Sequence, residues 1–229
     1  MVGAERTVAI IGASRGLGLG LAAEFLRRGA RVLGTVRELA GGSGLHALGE
    51  AAGSRLEIET ADVTDAEGIA ALRRRLDGRR LDVLMVNSGV SGTDVQDFET
   101  AFFRTMTVNV LGAMNVVRTL SDLVADKGAL AVMSSGLGSV ANNSTGGWEP
   151  YRASKAALNQ SLRSFAAEHA DAPWSITAVD PGWVRTDMGG PEAPLDVETS
   201  CHGVASVLEG RLGEHGCAFL DYRGQTISW

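Results

Sequence analysis

Lysine is nearly absent from this chain of 229 residues: of 21 basic side chains, only Lys127 and Lys155 are lysines. Tyrosine is as scarce, with Tyr151 and Tyr222 alone, and there are two cysteines and five prolines. No stretch approaches the roughly 18 consecutive apolar residues of a membrane-crossing helix, so none is expected. Residues 1–7 hold no basic segment leading into a long apolar one, and Val8-Ala9-Ile10-Ile11 is too short for a secretory signal core, so a cytoplasmic location is expected. The net charge is -6. Basic residues gather only at Arg73-Arg74-Arg75 and Arg79-Arg80, which read as the solvated face and exit of a helix, and this speaks against nucleic acid as a partner. Cys201 and Cys217 are isolated, as free thiols in a reducing compartment would be. His46, His169, His202 and His215 lack metal-ligand spacing with one another or with the cysteines, and no metal is expected.

What the chain does contain is 45% hydrophobic residues and 30 glycines, the composition of a folded protein with a sizeable core. Apolar β-type runs recur at 7–11, 31–36, 56–60, 83–87, 129–134, 175–179 and 217–220. Amphipathic segments lie between them, at 16–28, 45–52, 65–76, 95–123, 150–169 and 197–211. Regular alternation of the two predicts an α/β fold with a single doubly wound parallel sheet of about seven strands and helices on both faces. Nothing in the composition marks a linker, so residues 1–229 are read as one domain, its doubly wound sheet of Rossmann type. Two long loop-like stretches, 136–149 and 183–199, each follow a predicted strand. Ligands of open α/β sheets bind beyond the carboxyl ends of the strands, which makes these loops expected walls of a substrate pocket, with Trp148, Trp183 and Met188 as candidate lining.

Strand one runs into Gly12-Ala13-Ser14-Arg15-Gly16-Leu17-Gly18, with a helix after it. Glycines at 12, 16 and 18 allow a tight turn and a close backbone approach, and a helix N-terminus offers free N–H groups to a pyrophosphate. Gly20, inside the helix, is expected to serve close helix–sheet packing. After strand two comes Val36-Arg37-Glu38, with no acid before Arg37 to bond ribose hydroxyls. Arg15 and Arg37 would suit a 2'-phosphate, favouring NADP(H); Glu38 in the acid's role would leave NAD(H) possible.

Tyr151 and Lys155 are four apart, on one face of a helix that Pro150 helps to start. With two residues of each kind, chance supplies only about 0.02 such pairs in this chain. Reduction of a carbonyl produces an alkoxide that needs a proton, which a tyrosine hydroxyl donates. An adjacent ammonium is expected to lower the phenol from its ordinary value near 10.

The G-x-x-x-G-x-G spacing and the Tyr-x-x-x-Lys pair resemble the short-chain dehydrogenase/reductase family over essentially the whole chain. Residues 142–159, 181–190 and 219–222 are similar to its branch of C-factor and Sniffer-type carbonyl reductases. That resemblance implies a role for Lys155 on the nicotinamide ribose and for Ser135 as carbonyl polariser, with Ser139 as the alternative. It further implies Asn109 as holder of a relay water, or as a residue bonding a nearby carbonyl. Asp62 and Val63 match the adenine contact, or the cap region of the next helix. Asn87 and Gly89 shape the turn after strand four, where Ser88 departs from the family's pattern. In Pro181-Gly182-Trp183-Val184-Arg185-Thr186, Val184 N–H and the Thr186 hydroxyl would meet the carboxamide. A homodimer or homotetramer through the helices at 95–123 and 150–169 is implied as well. Two functions follow: an NADPH-dependent reductase of ketones, aldehydes or quinones, or a nucleotide-binding developmental signal with little turnover. An epimerase or dehydratase fits less well, because few residues follow Met188.

Overall fold

The computed structural model describes residues 5–38 and 42–229. Seven strands form one sheet, β1 (Thr7–Ile11), β2 (Arg31–Val36), β3 (Leu56–Thr60), β4 (Leu81–Val86), β5 (Val124–Met133), β6 (Ser175–Asp180) and β7 (Cys217–Asp221). Their order is β3-β2-β1-β4-β5-β6-β7, and every pairing is parallel. The helices are α1 (Gly16–Arg27), α2 (Gly44–Ala52), α3 (Ala66–Arg75), α4 (Phe98–Met106), α5 (Ala113–Leu120), α6 (Glu149–Glu168) and α7 (Val197–Gly210). Among the described residues no helix is long and apolar enough to cross a membrane.

Strand residues buried on both sides explain the near-continuous apolar runs, since helices cover each face of a parallel sheet. Ala9, Ile11, Leu84, Val86, Leu130 and Val132 pack with α3, α5 and α6 on one face. Val8, Ile10, Val83, Met85, Ala131 and Val179 pack with α1, α2 and α7 on the other.

Three sequence expectations need correction. The single helix expected over 95–123 is broken: α4 starts at Phe98, capped by Asp97, and a π-helical segment at Thr107–Gly112 separates it from α5. The inserted turn carries Asn109 inward and lets Gly112 pack so close that a Cβ there would sit 2.8 Å from Val63 Cγ2. Strand β5 begins five residues earlier than expected, because Asp126-Lys127-Gly128, which reads as a turn, is accommodated with Lys127 at φ 67°. Gly20 serves helix–helix rather than helix–sheet packing, for a Cβ there would lie 2.4 Å from Val197 Cγ1 and 2.7 Å from Cys201 Sγ, both on α7.

Charge reinforces this α1–α7 contact. The buried carboxylate of Glu24 accepts hydrogen bonds from Arg27 Nε (2.7 Å) and Arg28 Nε (2.8 Å) and meets His202 Nδ1 of α7 (2.9 Å). Arg28 reaches across to Glu209 at 2.5 Å. The bond from Arg27, with those from Arg28 and His202, holds Glu24 down to about 2 despite burial. A carboxylate depressed in the folded state contributes stability above its unfolded value of about 4.5 and loses it as pH falls toward 2. Glu24→Gln is therefore expected to lower the unfolding free energy at pH 7 by about 2–3 kcal/mol. Urea melts at stepped pH check this: the gap to wild type should narrow below pH 4.5, and a gap independent of pH contradicts it.

Candidate active site

The chain reverses direction across the sheet between β1 and β4, leaving a crevice at their carboxyl ends. The glycine turn fills its rim. Gly12 N–H donates to Thr35 Oγ1 (2.9 Å), Ala13 N–H donates to Thr35 O (2.8 Å), and Asn87 Nδ2 donates to Gly12 O (2.7 Å). Gly12 stands at φ 92°, where a Cβ would lie 2.3 Å from Ser88 Oγ. A Cβ on Gly18 would overlap Gly12 O at 2.0 Å. Ser88 settles the departure in its motif: its N–H and its Oγ both donate back to Ile11 O, at 3.0 and 3.2 Å. Helix α1 then starts at Gly16 with no side-chain cap and no acid in its first turn, so its N–H groups and partial positive charge are open to an anion beside Ser14 and Leu17. This cradle fits a pyrophosphate.

The two arginines expected at a 2'-phosphate have different neighbours. Arg15 Nη1 pairs with Asp187 Oδ2 at 2.7 Å, in the open. Arg37 is exposed, and its charge acts on Asp62. Asp62 takes both the hydroxyl (2.7 Å) and the N–H (2.8 Å) of Thr64, which hold its carboxyl below the usual range; the cap of α3 is Asp65. Val63 is buried in the core.

Across the crevice, α6 presents Tyr151 and Lys155 one turn apart. Trp148 precedes the helix at φ 54° and stands edge-on to the Tyr151 ring, centroids 6.1 Å apart. Lys155 is buried, and its Nζ donates to Met133 O (2.8 Å) while lying 5.6 Å from the Tyr151 ring centre. Gly89 leaves room for it: a Cβ there would come within 3.5 Å of Nζ and 3.3 Å of Asn109 Oδ1. Asn109 is fully engaged, its Oδ1 accepting from Val90 N–H (2.8 Å) and its Nδ2 donating to Val90 O and Ser154 Oγ (both 2.9 Å).

Ser135 accepts from Leu137 N–H at 3.1 Å, and its hydroxyl acts to lower the Tyr151 phenol. Ser139 faces away from this pair. It is buried, donates to Ser228 O (2.5 Å) and accepts from Asn142 N–H (3.1 Å).

One electrostatic expectation is reversed. Burial, opposed only in part by the Ser135 hydroxyl, pushes Tyr151 up to about 12, whereas a nearby ammonium was expected to lower it. The same desolvation lowers Lys155 to about 8. In a dry crevice the cost of forming either ion outweighs their attraction. Asp180, which sequence reasoning passed over as part of a turn, adds to the effect. Its carboxyl is half-buried at the end of β6, lies 3.4 Å from the Cβ position of Gly136, and raises Tyr151 further by its charge. An acid directly before Pro181-Gly182 was the available signal. Thr35, a lone hydroxyl within an apolar strand, was the signal for the other missed group.

The loop after β6 is built on Pro181, whose carbonyl accepts from Ser200 Oγ (2.7 Å), and on a bridge between Val184 and Leu195. Thr186 Oγ1 accepts from Gly189 N–H at 3.1 Å, and Trp183 Nε1 donates to Gly189 O at 2.7 Å. Each of the two loops expected as walls of a substrate pocket borders a hollow. One, of about 370 Å³, lies between residues 137–147 and Ala153 and Ala156 of α6; the other, of about 420 Å³, lies among Arg185, Thr186, Asp187, Gly190 and Pro191. Tyr151 lines neither.

The family model described as short chain dehydrogenase matches residues 6–194. The chain belongs to the short-chain dehydrogenase family. It is an oxidoreductase of that family. Among its short-chain dehydrogenase relatives is the C-signal of Myxococcus xanthus, 40% identical over 157 residues, which are 65% of this chain and 93% of that protein. A putative short-chain dehydrogenase/reductase from Burkholderia multivorans with bound NADP is 49% identical, with a TM-score of 0.95 over 98% of this chain and 100% of the other. A carbonyl reductase from Pseudomonas aeruginosa PAO1 in complex with NADP is 40% identical, with a TM-score of 0.91 over 99% and 100%.

Holding Lys155 in this crevice destabilises the fold. A lysine lowered to about 8 penalises folding fully below that pH, and the penalty vanishes as pH rises toward 10.5, where the unfolded chain also sheds the proton. Lys155→Met should therefore raise the unfolding free energy at pH 7 by about 2 kcal/mol, less whatever the orphaned Met133 carbonyl costs. Urea denaturation at pH 7 and 9.5 checks this, the gain being smaller at the higher pH; a variant less stable than wild type at pH 7 contradicts it.

Proposed function

We propose that this protein reduces a ketone, aldehyde or quinone to the alcohol with NADPH, with Tyr151 as the general acid. The observation that carries this reading is the juxtaposition of Tyr151 and the Ser135 hydroxyl, Lys155 one turn away and an uncapped glycine cradle across one crevice. The two NADP-bound relatives and the absence of an acid before Arg37 support NADP(H) over NAD(H). Gly12, Ser14, Arg15, Gly16, Leu17 and Gly18 would hold the pyrophosphate, Arg37 the 2'-phosphate, and Asp62 and Val63 the adenine side. Asn87 and Gly89 shape the floor. Pro181, Gly182, Val184 and Thr186 would meet the carboxamide, and Lys155 the ribose.

When bound, the reduced nicotinamide supplies the hydride. Ser135 and Tyr151 would both reach the carbonyl oxygen and polarise it. Burial keeps the phenol protonated, so it approaches its partner as an acid and gives its proton to the oxygen as negative charge develops there. Lys155 then stabilises the phenolate. Lowered to about 8, it is also suited to pass a proton back near neutral pH. Asn109 acts by fixing the Val90 turn and Ser154, which positions α6. Trp148, standing against Tyr151, forms an aromatic wall for an apolar carbonyl compound.

The same reading makes the protein a cytoplasmic, single-domain homodimer or homotetramer without nucleic-acid or membrane partners. Exposed Phe98, Phe103 and Leu111 around α4 and the π-helical segment support a second copy there, which sedimentation tests against a monomer. The relative called C-signal favours a second reading, a signalling protein that binds nucleotide with little turnover. NADPH consumption against a panel of carbonyl compounds, with NADH as control, separates the two. Turnover that Tyr151→Phe lowers by about 10²–10⁴-fold supports the reductase. Full activity in that variant refutes Tyr151 as the acid, and cofactor binding without turnover on any compound favours the signal.

A further inference from the structure

Ser139 lies four residues from Ser135 yet contributes nothing to the crevice, and the reason lies at the far end of the chain. After β7 the backbone turns at residues 221–224 and comes back antiparallel, with Leu220 bridging Thr226, Asp221 N–H donating to Gln225 O (2.9 Å) and Ile227 N–H donating to Phe219 O (2.9 Å). This return covers the outer edge of the sheet. It then reaches the loop after β5, where Ser139 Oγ donates to Ser228 O (2.5 Å) and Ala141 N–H donates to Trp229 O (3.2 Å). The Trp229 ring is seated on Phe219, centroids 5.3 Å apart, beneath the Arg163 guanidinium at 5.0 Å.

The loop is thereby divided. From Ser134 to Ser139 it is buried or half-buried; from Val140 to Glu149 it is exposed throughout. The inner half is one tight turn, in which Gly138 N–H donates to Ser135 O (2.8 Å) and Ser139 N–H donates to Gly136 O (3.1 Å). One flank of it rests on α6, where a Cβ on Gly138 would meet Lys155 Cβ at 2.8 Å. The other flank rests on the returning segment, while Gly136 lies against Asp180 of β6. The two hydrogen bonds of the turn link Ser139 to Ser135.

We propose that the returning segment Thr226–Trp229 clamps the turn that carries Ser135, with Trp229 and Ser139 as positioning residues for the Ser135–Tyr151 pair. This rests on the reductase reading above. The clamp leaves the outer half of the loop free to adapt to substrate while the polarising hydroxyl stays fixed.

The test uses the full chain carrying Trp229→Ala or Ser139→Ala, with Trp229→Phe and Ser139→Thr as conservative controls. Loss of the clamp should lower kcat on a reactive ketone on the order of tenfold, leave the NADPH dissociation constant within twofold, and speed amide exchange at residues 136–142 but not at 181–186. The conservative variants should recover most of kcat. Unchanged kcat in both alanine variants overturns the proposal, as does a fall in NADPH affinity matching the fall in kcat, which marks general loosening. If wild type turns over no carbonyl compound, the reductase reading fails. The clamp is then judged on exchange alone, and unaltered protection of 136–142 in both alanine variants refutes it.

Discussion

A single buried ammonium organises this molecule. Lys155 is driven into the interior by the packing of α6, and its Nζ finds Met133 O at the end of β5. Around it the chain is stripped of side chains: Gly89 on one side and Gly138 on the other leave no space for a Cβ without a clash or a tight contact. Asn109, reached by the π-helical insertion, fixes the Val90 turn beside Gly89 and the Ser154 hydroxyl next to Lys155. Burial of the ammonium is expected to cost the fold stability.

The remaining parts follow from how the sheet delivers backbone to this point. The strand order places β1 and β4 side by side, so the glycine turn and the Asn87–Gly89 turn meet at one crevice and are laced by the Asn87–Gly12 bond. Strands β5 and β6 bring Ser135 and Asp180 to its other wall. Asp180 and burial together keep the phenol protonated, and Ser135 opposes them. The result is a phenol whose ionisation is set by its surroundings, in a protein whose face toward α7 is separately secured by Glu24 and its arginines.

Strand positions and sheet class were legible in the sequence because fully buried strands give unbroken apolar runs, and β1, β2 and β3 match their expected limits. The Tyr151–Lys155 pair stood out because both residue types are so rare. What stayed hidden depends on contacts distant in sequence. No local pattern announces that Gly20 faces α7, that Ser139 bonds to Ser228, or that Asn109 sits in a π-helical turn. The direction of the Tyr151 shift was misread for a related reason: spacing reveals a neighbouring charge but not the dryness of the crevice around it, and here dryness dominates.

The central claim is that Tyr151 exchanges the proton under the influence of Lys155. The most direct measurement is kcat/KM for alcohol oxidation against pH at saturating NADP+, where Tyr151 must act as the phenolate. The account predicts activity rising through one ionisation that lies below the value of about 12 imposed on the ligand-free protein, and moving upward in Lys155→Met. An ionisation unmoved by that substitution, or a profile retained in Tyr151→Phe, would contradict it.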